Sequence, residues 1–547
     1  MRAKKNILSP TIFIILISFL GGLMRFYNLN WDEKLNFHPD ERNVVMAVTR
    51  ISFFDQLDPK FFAYGGFTIY LYRAAAETLA WFTKNGSWLT DWGNISLIGR
   101  HFSALVSTLS IFLVYILARK LFNLKTALYA TILSAFVPGL IQSAHFAVTE
   151  SFLVSFALLI CIFSLRIINQ KKTAAYITTA FFLGLAVATK ISALAFLVIP
   201  ISAHLLTLTR KHFLRKQVLA AVAVVAGLSI FMIFSPYTLL NREKFFESMR
   251  YEHGVVKGTL PVPYTLQFTN TIPFLYQLVN LPWLVGLNAL TGVSALILLF
   301  LIALKTRNKN LLVFLSFPIL YFLYVGSWHA KFVRYLVPLI PFLIIASGWF
   351  LERIEVKLTW LGKAISFFVI FTTVVWGISF FSIYTKTQTR IEASYWIYKN
   401  IPRGSTLYTE HWDDGLPVPL SEGSPNLYKI EQLTIYEPDN FQKALYYADK
   451  LASGEYIILS SRRLWGTLTH LPDMYPITSN YYKLLFSGKL GYFQIASFSS
   501  YPEIFGVSIN DDASEETFQV YDHPTVLIFK KFQKLSKGDI LNMLYDK

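Results

Sequence analysis

The sequence has few charged residues and almost no cysteine. Only 15% of its 547 residues are charged, whereas soluble domains carry about 25%, and this shortage excludes a mainly soluble chain. The single cysteine, Cys161, lies in an apolar run. It excludes an intrachain disulfide even in parts that face an oxidising compartment, and packing is its expected role. Neither an internal repeat nor a low-complexity tract is present.

Long apolar runs take up much of the chain instead. Runs such as "ILSPTIFIILISFLGGLM" and "VLAAVAVVAGLSIFMIFS" reach the roughly 20 residues that a bilayer-crossing helix requires. They indicate a polytopic α-helical membrane protein. The first run has a basic start at Arg2, Lys4 and Lys5, but no A-x-A-like cleavage site follows it. It is therefore predicted to remain as a helix and not to be removed as a signal peptide.

The positive charge is unevenly distributed. The formal net charge is +17, but residues 384–547 carry 16 Lys and Arg against 19 Asp and Glu, so that part has −3 and the rest +20. The excess lies in short loops beside apolar runs, where the positive-inside rule expects it for cytoplasmic loops. Charge therefore predicts a multi-pass membrane protein with a cytoplasmic N-terminus. It argues against nucleic acid as a partner.

The charged flanks predict about eleven transmembrane helices. They are expected at about 7–27, 99–118, 126–144, 150–168, 173–189, 191–208, 217–236, 282–304, 310–327, 332–350 and 361–383. Together they form a membrane domain, 1–383, with external loop one at 28–98. Segment 65–82 is apolar but carries Arg73 and Glu77. Counting it as a crossing would put every later basic loop outside, so it is predicted to be an amphipathic juxtamembrane helix.

The composition changes at Tyr384. There "TRIEASYWIYKNIPRGSTLY" indicates a helix, a Pro/Gly turn and a strand, and "GEYIILSS" and "HPTVLIFKK" are strand-like runs. Charged helical stretches such as "NFQKALYYADKLAS" lie between them. Residues 384–547 are therefore predicted to form a soluble α/β domain, which the topology places on the extracytoplasmic side.

In this topology a set of ionisable side chains lies at the outer membrane face. Its members are His38, Asp40, Glu41, His145, Glu150, Lys190, Arg250, Lys331 and Arg334. Ionisable residues at a membrane edge are functional candidates because burying them is costly. A carboxylate can take a proton from an acceptor hydroxyl, and cations stabilise a phosphate leaving group. The set favours transfer chemistry on a phosphorylated lipid.

These residues also have structural interpretations. Proline in the first turn and acids at the positive end of the helix dipole make "HPDE" an ordinary helix start. His38 lacks the spacing of a metal-binding helix. Glu150 can cap a helix, and Lys190 can extend its ammonium to the headgroups. Lys331 and Arg334 are three residues apart at the start of the helix predicted at 332–350, so they are expected to share one helical face, and they can anchor to lipid headgroups. The residues alone leave both interpretations open.

Several stretches resemble a known family. They are the acidic pair in "NFHPDERNVV", "RHFSALVSTLSIFLVYILARKLF", "ATKISAL", "SPYTLL", "VPYTLQF", "KFVRYLVPLIPFL" and "EASYWIYKNIPRGSTLYTEHWDD". Their order resembles that of GT-C membrane glycosyltransferases, and most nearly family 39, the bacterial relatives of the protein O-mannosyltransferases and aminoarabinose transferases. The resemblance covers most of the chain. It implies a GT-C membrane domain in the cell inner (plasma) membrane, with a C-terminal external domain.

The resemblance implies inverting transfer of a sugar from a polyprenyl-phosphate donor to an acceptor. The family's general base maps onto Asp40, and Glu41 would hold the acceptor or orient the site. Lys190 and Arg334 would meet the carrier phosphate, and Glu150 corresponds to a polar or acidic position of the second external loop. No cofactor is implied, and a divalent metal is left open.

The sequence also departs from the family. The MIR domains of eukaryotic O-mannosyltransferases are absent, and "TKIS" stands where aminoarabinose transferases often have "TKG". Neither protein mannosylation nor aminoarabinose transfer is therefore implied. The sugar and the acceptor, whether lipid, glycan or protein, stay open.

Two other functions compete with this one. A secondary transporter or flippase of lipid-linked saccharide would predict Gly/Pro-broken helices at the midplane and a repeat between the two halves. The acids lie at the outer edge instead, and no repeat is present. The other alternative is a non-catalytic assembly protein whose external domain binds cell-wall material.

Overall fold

The computed structural model describes residues 9–170 and 173–545. The basic start at Arg2, Lys4 and Lys5 lies outside the described residues, as do the last two residues of the loop "RIINQKK", at 171–172. Two compact units are present. The first runs to Lys257 and resumes at Ile272–Phe381, and the second comprises Gly258–Thr271 and Ser382–Lys547.

The first unit is helical. Its α-helices are α1 (Pro10–Phe26), α2 (Pro39–Thr49), α3 (Gly66–Thr83), α4 (Ser87–Thr90), α5 (Trp92–Leu121), α6 (Leu124–Phe136), α7 (Pro138–Ala144), α8 (Glu150–Gln170), α9 (Thr173–Thr189), α10 (Val198–Thr207), α11 (Phe213–Phe234), α12 (Tyr237–Leu240), α13 (Arg242–Lys257), α14 (Leu275–Val285), α15 (Asn288–Thr306), α16 (Lys309–Gly326) and α17 (Ile340–Phe381). Short 3₁₀ helices occupy Ile191–Leu197, Arg210–His212 and Val333–Leu339.

The apolar helices make this a multi-pass membrane protein. Within the described ranges six helical stretches are long and apolar enough to cross a bilayer, or seven if the bent pair α6 and α7 is one span. Three further apolar helices are shorter: Pro10–Phe26, Thr173–Thr189 and Ile191–Thr207. Helix occupies each predicted span in its described part. The prediction of about eleven crossings stays a prediction.

Two breaks interrupt the apolar helices. The predicted helix at 126–144 is two helices bent by 53°, because Pro138 begins α7 and cannot continue the backbone ladder of α6. Within α17, Thr359 has a non-helical backbone with φ of 48°. The chain folds back there, since a side chain at Gly362 would lie 2.3 Å from the Ile354 carbonyl oxygen. The two helices predicted at 332–350 and 361–383 are therefore present on either side of this turn.

External loop one holds regular structure. Helix α2 begins at Pro39, which confirms the predicted helix start. Helix α3 occupies almost the same residues as the predicted juxtamembrane helix, and its non-crossing position stays a prediction. Helix α5 begins at Trp92, earlier than the predicted 99, because the Asp91 side chain caps it by accepting a hydrogen bond from the Asn94 amide at 2.7 Å.

The second unit is an α/β domain, as predicted. Its helices are α18 (Thr389–Asn400), α19 (Phe441–Ser453), α20 (Trp465–Leu468), α21 (Pro476–Phe486), α22 (Glu516–Gln519) and α23 (Lys537–Tyr545), with 3₁₀ helices at Pro263–Phe268, Ser382–Thr385 and Pro425–Leu427. Its strands are β1 (Thr406–Glu410), β2 (Lys429–Leu433), β3 (Tyr456–Leu459), β4 (Tyr492–Phe498), β5 (Glu503–Ile504), β6 (Val507–Ser508) and β7 (Val526–Lys531).

A five-stranded sheet organises this unit. The strand order is β2-β1-β3-β7-β4, with β1 parallel to β2 and β3, and β7 antiparallel to β3 and β4. The four residues of β3 are all buried, as a central strand covered on both faces requires. Strands β5 and β6 form a separate two-stranded hairpin. The segment 258–271, which the sequence placed in a membrane-domain loop, belongs to this unit.

Candidate active site

Asp40 stands at the N-terminus of α2, held there by its neighbours. Pro39 occupies the first helical position, and Nδ1 of the His38 ring accepts a hydrogen bond from the Asp40 amide at 3.2 Å. This cap gives His38 a structural role, and its ring also packs edge-on to Phe146, with centroids 4.6 Å apart. The Asp40 carboxylate pairs with the Arg334 guanidinium. The helix start thus fixes the direction in which Asp40 presents its carboxylate.

The surroundings of Asp40 keep its carboxyl group ionised. Burial by itself would raise the pKa of Asp40, but the charges of Arg334, His38 and Lys190 and a hydrogen bond from Tyr64 outweigh it, so the pKa is lowered. An ionised carboxylate can accept a proton, which a general base must do.

Lys190 provides a second cation beside this pair. It lies between α9 and the 3₁₀ helix at Ile191–Leu197, with Nζ 3.4 Å from Oε1 of Glu150 and 4.8 Å from the centre of the Tyr64 ring. Glu150 begins α8 and is buried, and its Oε2 has no hydrogen-bond partner among the described residues. That oxygen is an acceptor left open for a ligand or a water molecule.

Glu252 is a further candidate site residue, and the sequence did not reveal it. It lies on α13, where its carboxylate interacts electrostatically with Lys190, Arg334 and Asp40, and burial raises its pKa. The sequence drew attention to the same loop, but to Arg250 and not to Glu252. Three carboxylates and two cations therefore share this region: Asp40, Glu150, Glu252, Lys190 and Arg334.

Glu41 points away from this cluster into a buried ion network. Its oxygens accept hydrogen bonds from Arg100 at 2.6 and 3.0 Å, and Arg100 also binds both oxygens of Asp32, at 2.7 and 2.8 Å. The Ala147 amide donates to Glu41 as well. All three charged side chains are almost completely buried. The geometry makes Glu41 a positioning residue that fixes α2 against α5, a role for which the sequence identified neither Asp32 nor Arg100.

The remaining predicted site residues occupy different surroundings. Both ring nitrogens of His145 lie near backbone carbonyls, of Ile141 at 2.9 Å and Tyr27 at 3.0 Å, which ties the end of α7 to the end of α1. Buried Lys331 donates to the His329 carbonyl at 2.9 Å, and burial lowers its pKa. It precedes the 3₁₀ helix at Val333–Leu339, so the prediction that it shares a helical face with Arg334 is wrong. Arg250 is exposed on α13.

An apolar cleft opens next to the charged cluster. Its volume is about 530 Å³, and its lining comes from the 3₁₀ helix after Lys190, α10, α13 and α16. The lining is mainly aliphatic and aromatic, with polar groups at Glu252 and His253. Tyr321 lines it too and donates a hydrogen bond to the Tyr335 carbonyl, next to Arg334. Glu252 belongs both to this lining and to the charged cluster.

No group of three or more His, Cys, Asp and Glu side chains placed to hold a metal ion occurs within the described ranges. The clustered carboxylates face Lys190 and Arg334 instead.

Known proteins resemble this chain in part of its sequence and in its fold. Residues 78–237 match the sequence model of the family described as dolichyl-phosphate-mannose-protein mannosyltransferase. The fold is similar to that of the Archaeoglobus fulgidus oligosaccharyltransferase, with a TM-score of 0.53 and 14% identity over 92% of this chain and 75% of that one. ArnT from Cupriavidus metallidurans, bound to undecaprenyl phosphate, matches with a TM-score of 0.47 and 15% identity over 94% and 97%. No curated protein matches the sequence closely.

These comparisons agree with the family resemblance predicted from the sequence. At 14% identity the likeness to the archaeal enzyme is a likeness of fold, and the family match falls on the segment that contains Arg100, Glu150 and Lys190. The predicted resemblance to GT-C membrane glycosyltransferases of family 39 is confirmed, and with it the prediction of a glycosyltransferase.

Proposed function

We propose that this protein is an inverting glycosyltransferase that moves a sugar from a polyprenyl-phosphate donor to an acceptor at the extracytoplasmic face of the inner membrane. One observation carries the proposal: the ionised Asp40, paired with Arg334, lies in the same cluster as Lys190, and an apolar cleft opens beside that cluster. The family match, and the dolichol phosphate in the complex of the archaeal oligosaccharyltransferase, support a lipid-phosphate donor.

The cleft and the cations would bind different parts of the donor. The polyprenyl chain would lie along the apolar lining from Val198 to Tyr324, where burial of its surface is favourable. Its phosphate would then lie beside Lys190 and Arg334, whose positive charges stabilise it. Aromatic rings of Tyr64 and Tyr335 flank these cations and limit the access of water to them.

Transfer is a single displacement at the anomeric carbon. The acceptor oxygen attacks that carbon while its bond to the phosphate oxygen breaks, so the configuration inverts. Asp40 takes the proton from the acceptor. The electron pair of the broken bond stays on the polyprenyl phosphate, and Arg334 and Lys190 stabilise the charge that develops there.

The pair of Asp40 and Arg334 gives the site a way to respond to the donor. Because Arg334 lowers the pKa of Asp40, the resting carboxylate is a weak base. An incoming phosphate competes for the same guanidinium, and a weakened ion pair raises the basicity of Asp40. Donor binding thus prepares the base for the acceptor.

Two other carboxylates are placed where they can bind hydroxyl groups of the sugar or the acceptor. Oε2 of Glu150 has no hydrogen-bond partner among the described residues, and Glu252 lines the cleft. Carboxylate oxygens accept hydrogen bonds from hydroxyl groups. We assign both to substrate binding.

The test uses the full chain in lipid nanodiscs with a panel of polyprenyl-phosphate sugars, and it measures acceptor-dependent release of polyprenyl phosphate. Asp40→Asn is expected to abolish release while leaving membrane insertion and elution volume unchanged. Asp55→Asn is the matched control, because Asp55 is an exposed acid of the same loop. Near-normal turnover by Asp40→Asn would remove this residue from the mechanism. Solute uptake without sugar transfer would favour a transporter.

A further inference from the structure

The second unit carries a hairpin with an apolar tip. Strands β5 and β6 are joined by Phe505 and Gly506, whose φ angles of 50° and 79° are those of a tight two-residue turn. The Phe505 side chain is 98% exposed and that of Val507 65% exposed. From Ile504 to Val507 the tip has no charged residue. A turn of this kind in water usually carries Asn, Asp or Gly and not phenylalanine.

The root of the hairpin lies where the chain leaves its last apolar helix. The Glu503 amide donates to Oγ of Ser382 at 2.9 Å, and the Glu503 carboxylate pairs with Lys386 at 2.7 Å. Ser382 directly follows Phe381, the last residue of α17. The part of α17 after Thr359 exposes Phe367, Phe368, Phe371 and Ile378, which is the pattern of a lipid-facing helix.

Simple lengths place the tip within reach of the bilayer. The 22 residues from Trp360 to Phe381 span about 33 Å at about 1.5 Å per residue, which matches the roughly 30 Å hydrocarbon core. We therefore expect Ser382 to lie at the membrane surface. A strand advances about 3.3 Å per residue, so Phe505 is about 7 Å along the chain from Glu503. The headgroup layer is about 5–8 Å thick on each side.

We propose that the hairpin tip, Phe505 and Val507, inserts into the lipid leaflet in which α17 ends. We name the bilayer as the surface that the tip contacts, because the hairpin root is hydrogen-bonded to the first residue after a predicted membrane span. The ion pair of Glu503 and Lys386 then lies at headgroup depth, and the uncharged tip lies deeper in the leaflet. Aromatic residues favour this boundary, and shallow insertion of apolar side chains holds segments at an interface. The hairpin would hold the second unit against the leaflet independently of catalysis.

The only native cysteine makes the experiment direct. Cys161 is completely buried, so a new exposed cysteine can be labelled selectively in the full chain. The Phe505→Cys variant is labelled with an environment-sensitive fluorophore and placed in lipid nanodiscs. The Val507→Cys variant is labelled in the same way as a second site on the same tip. Phe441→Cys is the matched control, because Phe441 is a 53% exposed phenylalanine at the start of α19, remote in sequence from the hairpin.

Two quenchers distinguish the possible surroundings. We expect the labels at 505 and 507 to show blue-shifted emission, quenching by doxyl-labelled phospholipid and protection from iodide, whereas the label at 441 shows the reverse. Quenching of both tip labels by iodide, as in water, would overturn the proposal. Protection from both quenchers would overturn it too, because it would indicate a protein partner. A fall in iodide quenching when nanodiscs replace a short-chain detergent would support the lipid contact.

Discussion

The carboxylate of Asp40 is paired with the guanidinium of Arg334, which lies 294 residues further along the chain. Asp40 begins a helix of external loop one, and Arg334 stands in the 3₁₀ helix that leads into α17. Since Lys190 and Glu252 act on the same carboxylate and guanidinium, four distant segments meet at one point. The proposed base and the proposed phosphate ligand are therefore one electrostatic unit.

Replacing Arg334 by glutamine is expected to change the pH dependence of transfer. The positive charge lowers the pKa of Asp40, so its loss raises that pKa, and at a given acidic pH less of the base is ionised. The acidic limb of kcat/KM against pH, which reports the free enzyme, should move to higher pH by about one to three units, the usual effect of a close opposite charge. Arg242→Gln, an exposed arginine of α13, should leave the limb in place. An unmoved limb in Arg334→Gln would show that Arg334 does not control the base.

Replacing Arg100 by glutamine is expected to destabilise the fold. Asp32 and Glu41 would remain as two buried carboxylates without their cation, and breaking a buried ion pair costs about 3–5 kcal/mol. A lower unfolding temperature in detergent, followed by tryptophan fluorescence, checks this. Glu41→Gln should cost less, because its amide oxygen can still accept from Arg100 and Ala147. Equal unfolding temperatures for wild type and Arg100→Gln would contradict the positioning role of this network.

Replacing Glu252 by glutamine is expected to reduce kcat/KM without unfolding the protein. The change keeps the size of the side chain but removes the charge that faces Lys190, Arg334 and the cleft. A hydrogen bond to a charged group contributes about 1.5–3 kcal/mol, so a loss of about tenfold or more is expected. Glu247→Gln is the control, on the same helix but exposed. A loss of the same size in both variants would show that the helix, and not the carboxylate, is responsible.

Filling the cleft is expected to weaken donor binding selectively. Val198 lines the cleft on α10, whereas Ile201 of the same helix is 50% exposed. Val198→Trp should raise KM for long polyprenyl donors and affect KM for donors with a short prenyl chain less. Only the long chain extends into the part of the cleft that the tryptophan side chain fills. Ile201→Trp should leave both values unchanged. Steady-state kinetics with the two carrier lengths measures this, and equal KM values for Val198→Trp and wild type would show that the chain lies elsewhere.

Several features of the site were predictable from local sequence. The helix start at Pro39 depends on proline and two acids within one turn, and α2 begins there. The strand-like runs "GEYIILSS" and "HPTVLIFKK" hold β3 and β7. Family resemblance added the proposed roles of Asp40, Lys190 and Arg334. The bend before Pro138 was missed, although the proline is visible in the sequence, because the apolar run continues across it.

Long-range partners were not predictable in the same way. The sequence alone determined a multi-pass membrane protein with an α/β domain from about 384, since apolar runs and short strands are local patterns. Only the tertiary structure decided that Glu41 binds Arg100 while its neighbour Asp40 binds Arg334, and that Glu252 joins them. Adjacent residues of a helix point in directions about 100° apart. Which cation each acid meets depends therefore on how distant helices pack.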